Sequence, residues 1–118
     1  MKLSVIIPCF NEQDTVAVIL DRVKNEKTIE KEIIVVDDFS TDNSRKILEN
    51  YKKDNEIKLI LNNQNKGKGY SIKQGLKEAT GDIILIQDAD LEYSPSDYNN
   101  LIEPILNNHA DVVYGSRF

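Results

Sequence analysis

The chain has 118 residues, with 15 Lys+Arg against 20 Asp+Glu and a formal charge of −5. An apolar fraction of 40% and a charged fraction of 30% are ordinary globular usage and exclude general disorder. The net acidity argues against nucleic acid as the main partner, and the lone Cys9 excludes a disulfide or cysteine-based zinc site within one chain.

Leu3 to Pro8 is the first of five short apolar runs rich in Ile, Val or Leu. Val16, Ile19, Leu20 and Val23 then fall at i, i+3, i+4 and i+7, one face of a helix. Glu32 to Asp37 is the second run, followed by a weaker helical stripe of Ile47, Leu48 and Tyr51. Ile57 to Leu61 is the third. Ile72, Leu76 and Ala79 form the next stripe, predicted to close on a left-handed C-cap at Gly81. Asp82 to Gln87 is the fourth run. Tyr98, Leu101, Ile102, Ile105 and Leu106 mark a fourth helix, with Ser94 as N-cap, Pro95 in its first turn and Pro104 predicted to kink or end it. Asp111 to Gly115 closes the series.

None of the runs alternates cleanly, which suits strands covered on both faces. The order β-α-β-α-β-α-β-α-β with short connections predicts one α/β domain, Rossmann-like, its mostly parallel sheet carrying helices on both faces. No run approaches the ~20 residues that span a bilayer, and no signal-peptide pattern is present, so a soluble, cytoplasmic module is expected. Phe118 directly after a strand suggests a part of a larger domain.

In such a sheet the ligand crevice lies beyond the carboxyl ends of the strands. The polar residues collect there: Asn11 and Glu12; Asp37, Asp38, Ser40, Thr41 and Asp42; Asn62 to Gly69, with Lys66 and Lys68; Asp88, Asp90 and Glu92; Ser116 and Arg117. In Asp88-Ala89-Asp90-Leu91-Glu92 the three carboxylates are two residues apart, so an extended segment points them together. Converging anions need a cation, and hard oxygen ligands favour Mg²⁺ or Mn²⁺ shared with a substrate diphosphate. Capping of the second helix by Ser40 or Thr41 would leave Asp38 for a ligand. Asn11 and Glu12 suit either a cap or a ligand contact. Asn65-Lys66-Gly67-Lys68-Gly69 is neither a P-loop nor a dinucleotide fingerprint, but its glycines allow close backbone approach. Cys9 is expected to pack as a small apolar residue, and His109 to lie at the surface.

Val5-Ile6-Ile7-Pro8 with Asn11-Glu12, Val35-Val36-Asp37-Asp38, Ser40-Thr41-Asp42, Asn65 to Gly69, Gly81-Asp82, Asp88-Ala89-Asp90-Leu91 and Gly115-Ser116-Arg117-Phe118 stand in a specific order. Together they resemble the nucleotide-binding part of a family 2 glycosyltransferase of GT-A fold, most like the dolichyl- or polyprenyl-phosphate sugar transferases. The resemblance implies that Pro8, Asn11 and Glu12 line the nucleoside pocket, that Asp38 holds the base, and that Asp37 supports the pocket. It assigns Asp88 to the ribose or a metal-bound water, Asp90 and Glu92 to Mg²⁺ or Mn²⁺, Lys68 to the nucleotide and Arg117 to the acceptor phosphate. The implied partners are a UDP- or GDP-linked sugar and a lipid phosphate, joined by inverting transfer. Phe39 departs from the pattern, standing where the family usually has glycine, and Glu92 stands where some relatives carry glutamine. The chain by itself is expected to bind donor but transfer poorly.

Three other readings fit parts of the pattern. A receiver-like phospho-acceptor module would place its acid pair after the first strand and a lysine after the fifth, and neither is present here. A phosphatase using Asp88 as nucleophile and Asp90 as acid leaves Asp38 and Asn11 without a role. A non-catalytic remnant would bind nucleotide sugar without turnover.

Overall fold

The computed structural model describes residues 2–26, 30–89 and 112–114. They form β1 (Lys2–Cys9), α1 (Val16–Asn25), β2 (Glu30–Asp37), α2 (Ser44–Asp54), β3 (Lys58–Leu61), α3 (Lys68–Glu78), β4 (Ile83–Ile86) and β5 (Val112–Tyr114). The helix predicted from Ser94 to Leu106 lies outside the described residues.

The strands make one sheet in the order β3-β2-β1-β4-β5. Every neighbouring pair is parallel, with Val5 opposite Ile33 on one side and Leu85 on the other. Alternate side chains of β1 go to opposite faces. Leu3, Val5, Ile7 and Cys9 join Ile33, Val35 and Leu85 against Val16, Ile19, Leu20 and Val23 of α1 and Leu48 of α2. Ile6, Ile34, Val36 and Ile86 pack on the other face with Ile72 and Ala79. Helices therefore cover both faces, as the periodicity implied. The receiver-like alternative is set aside by topology, since that fold orders its strands 2-1-3-4-5.

Two local expectations are corrected. β3 is covered on both faces only in part: it is the edge strand, Leu59 and Ile60 are half-buried against the two opposite cores, and Lys58 and Leu61 are exposed. Gly81 is not a left-handed cap. The helix ends at Glu78, and Ala79 is extended at φ −74° and ψ 133°. Gly81 instead answers close approach, since a Cβ there would lie 2.6 Å from Ser4 Oγ and 2.9 Å from the Lys2 carbonyl.

That contact belongs to a polar clasp at the amino end of the sheet. Ser4 Oγ donates to Glu32 at 2.5 Å, the Thr80 amide at 2.6 Å, and Lys58 pairs with the same carboxylate at 2.9 Å. Burial pushes the Glu32 carboxyl up, but these donors outweigh it and hold it at about 2, well below the ordinary 4.5. Its stabilisation is thus complete above pH about 4.5 and is lost as pH falls through about 2. Glu32→Gln is expected to cost about 2 kcal/mol at neutral pH. Urea midpoints of the two proteins should converge as the pH approaches 2; a difference independent of pH would contradict this.

Candidate functional site

The chain runs from β1 outward to β3, then returns through α3 to place β4 on the other side of β1. The switch point is therefore between β1 and β4, where open α/β sheets bind ligands. The opening itself follows from the sequence. β1 pairs with β2 as far as Cys9 opposite Asp37, but with β4 only to Ile6 opposite Ile86. The Gln87 amide donates to the Ile6 carbonyl at 2.9 Å, so Ile6 faces β4. Pro8 faces the same way two residues later and has no N–H to donate. The ladder stops and the two strands part.

The resulting cleft, about 200 Å³, is lined by Pro8, Cys9, Phe10 and Glu12 from the β1 end, Asp38 directly after β2, Lys68 and Ser71 from α3, and Asp88 with Ala89 just beyond β4. Across it Lys68 Nζ meets Asp88 Oδ1 at 2.5 Å. Burial, with the Asp37 charge adding to it, pushes the Cys9 thiol up to about 12. It is a neutral, packed group at the cleft floor, as expected. Glu12 opens the turn into α1, its carbonyl accepting from the Thr15 and Val16 amides. Thr15 Oγ1 lies 2.7 Å from the Ala89 carbonyl, fastening α1 to the end of β4.

Asp38 is 4% exposed and fixes the loop before α3. One carboxylate oxygen accepts from Lys66 N at 2.8 Å and Asn62 Nδ2 at 3.0 Å, the other from Gly67 N at 2.8 Å. Gly67 carries φ 93°, a left-handed conformation that glycine adopts without steric cost. The carboxylate is thus a lining group of the cleft and the anchor of one of its walls.

Asn11 and Asp37 lie beside the cleft rather than in its lining. Asn11, at φ 52°, accepts on Oδ1 from Thr41 N at 2.8 Å and Asp42 N at 3.2 Å, while its own amide donates to Ser40 Oγ at 3.0 Å. Asp37 is fully buried; Ser40 Oγ donates to it at 2.5 Å and Arg45 Nε at 2.7 Å. These bonds lock the β1–α1 and β2–α2 loops into one plate. Ser40 and Thr41 do not cap α2, contrary to expectation, because both face Asp37 and Asn11. Asp42 takes the Ser44 amide at 2.8 Å instead. Partial burial pushes the Asp42 carboxyl up, but the Ser44 hydroxyl and the Ser44 and Gln13 amides hold it below its usual value.

Phe39 has φ 61°, the conformation that a glycine would adopt freely at this position. The strain, of order 1 kcal/mol, is partly offset by the Arg45 guanidinium lying 5.4 Å from the ring centroid. Sequence reasoning missed Ser71 and Thr15. Asn62, in the polar segment expected after the third strand, donates from Nδ2 to Ser71 Oγ at 3.1 Å. Asp90, Glu92 and Arg117 lie outside the described residues. Among the described residues no group of three His, Cys, Asp or Glu could hold a metal, and no helix is long and apolar enough to cross a membrane.

An open parallel sheet of this order, with a polar crevice at its switch point, defines a Rossmann-like α/β protein. Residues 4–118 match the family model for glycosyl transferase family 2, and the chain belongs to that family. It is 36% identical over 119 residues to dolichol-phosphate mannosyltransferase of Pyrococcus furiosus, covering 100% of this chain and 34% of that protein. It is 39% identical over 106 residues to undecaprenyl-phosphate 4-deoxy-4-formamido-L-arabinose transferase of Proteus mirabilis, covering 86% and 32%. The chain thus spans about a third of the length of these curated relatives. Similar solved structures include S. aureus TarS 1-349 in complex with UDP-GlcNAc, with TM-score 0.77 and 30% identity over 94% of this chain and 33% of that one. Another is the mannosyltransferase PcManGT of Pyrobaculum calidifontis in complex with GDP-Man and Mn²⁺, with TM-score 0.78 and 26% identity over 87% and 32%.

Proposed function

We propose that this chain is the donor-binding part of a metal-dependent, inverting glycosyltransferase that moves a sugar from a nucleotide diphosphate to a polyprenyl phosphate. The observation that carries the reading is the cleft at the switch point, where Glu12, Asp38, Lys68 and Asp88 meet. The donors named in the TarS and PcManGT complexes and the lipid phosphates named in the two relatives supply the substrate classes.

The carboxylate chemistry of Asp88, Asp90 and Glu92 suits a divalent cation. Asp88 offers hard oxygens at the carboxyl end of β4 and already pairs with a cationic group, the Lys68 ammonium. Asp88, Asp90 and Glu92 would hold Mg²⁺ or Mn²⁺, which when bound supplies charge stabilisation to the departing diphosphate. Pro8 and Asp38 line the nucleoside end, and the plate built on Asn11 and Asp37 keeps that end rigid. Lys68 is a cationic contact for phosphate oxygens. Arg117 is assigned to the acceptor phosphate. That acceptor is already anionic, so attack on the anomeric carbon needs no general base.

Calorimetric titration with UDP and with GDP, each with and without Mn²⁺, tests the reading. One nucleotide should bind at least about tenfold tighter with metal, and Asp90→Ala should remove that gain. Equal affinity with and without Mn²⁺ would contradict it.

A further inference from the structure

We infer that Lys68 is a built-in counter-ion that couples metal binding to diphosphate binding, an inference that rests on the proposed function. Its ammonium lies 2.5 Å from Asp88 Oδ1, on a carboxylate assigned to the cation. The two residues come from opposite walls of the cleft, α3 and the end of β4. Lys68 is the first residue of α3, where the helix dipole disfavours positive charge. Negative charge around it offsets this: Asp88 pairs with it, and Glu12 and Asp38 line the same cleft.

Two cations cannot share one carboxylate oxygen at contact distance without strong repulsion. For Asp88 to hold a divalent ion alone, its ammonium partner would therefore have to be displaced. A diphosphate offers that ammonium a better partner, since its oxygens carry more charge than a single carboxylate. Lys68 is one-third exposed and its stem has four rotatable bonds, so it can cross from Asp88 to a phosphate within the cleft. Asp88 would then be free to hold the metal. Each ligand prepares the site for the other, and by linkage the effect is equal in both directions.

The test uses Mn²⁺ as the metal and whichever of UDP or GDP binds more tightly. Bound Mn²⁺ is read from the loss of its free-ion paramagnetic resonance signal, first without nucleotide and then with it. Nucleotide affinity is measured by calorimetry with and without Mn²⁺. Lys68→Gln should bind Mn²⁺ alone about tenfold more tightly than the unaltered chain, bind nucleotide alone more weakly, and show a smaller gain when both are present. Lys68→Arg keeps the charge and should keep the coupling, and thermal unfolding of both variants checks that the fold is intact. Unchanged Mn²⁺ affinity in Lys68→Gln, with undiminished coupling, would overturn the role of Lys68 and leave the metal-dependent reading standing. Failure of the unaltered chain to bind Mn²⁺ even with nucleotide would overturn both.

Discussion

Asp38→Ala is expected to remove about 3 kcal/mol of stability and to abolish nucleoside diphosphate binding. The carboxylate is 4% exposed and receives three donors, from Asn62, Lys66 and Gly67. Truncation leaves two backbone amides and a carboxamide without their acceptor at a position that is almost closed to solvent. Each stranded donor costs on the order of 1 kcal/mol or more. The loop from Asn62 to Gly67 then has no fixed path, and the start of α3, which carries Lys68, loses its position. Asp38→Asn sharpens the point: its amide nitrogen must face one of the incoming N–H groups, so it should fall nearer to alanine than to the native residue. Urea unfolding with calorimetric titration checks both effects. A stable Asp38→Ala protein with native nucleotide affinity would contradict the anchoring role.

Arg45→Met should have a comparable effect on stability by a different route. Asp37 is fully buried, and Arg45 Nε at 2.7 Å supplies its cationic partner. Removing one member of a buried pair leaves an uncompensated charge and typically costs 3–5 kcal/mol. Arg45 is 27% exposed, so water screens part of the loss and about 2–4 kcal/mol is expected. The same guanidinium also bonds the Asn62 carbonyl and lies over Phe39, so the left-handed turn at Phe39 loses its support. Denaturant unfolding of Arg45→Met, Asp37→Asn and the double variant measures the coupling. The double variant should lose clearly less than the sum of the singles, because the partner that each single strands is gone. Simple additivity would contradict the pairing.

The helices on both faces were legible in the sequence because burial imposes a period. Val16, Ile19, Leu20 and Val23 recur as one stripe, and all four are buried in the structure. The exposure of β3 was not legible, since Ile57 to Leu61 is as apolar as a central strand and only sheet order makes it an edge. Gly81 shows a similar limit: a glycine near a helix end suggests a cap, whereas the Ser4 hydroxyl that requires it is 77 residues away. The polar ends of the strands were readable as a crevice. Their division of labour was not, because Asn11 meets Thr41 across 30 residues and Asp38 meets Gly67 across 29. Local spacing can list the carboxylates after a strand. It cannot say which of them bind loop amides and which meet a lysine across a cleft.

The most direct measurement is a crystal structure of the chain with Mn²⁺ and its preferred nucleoside diphosphate, with data collected at the manganese absorption edge. One anomalous peak is expected within coordination distance of the Asp88 or Asp90 carboxylate, touching the diphosphate, with the nucleoside between Pro8 and Asp38. A manganese peak remote from the carboxyl end of β4, or a nucleotide bound outside the opening between β1 and β4, would contradict the assignment.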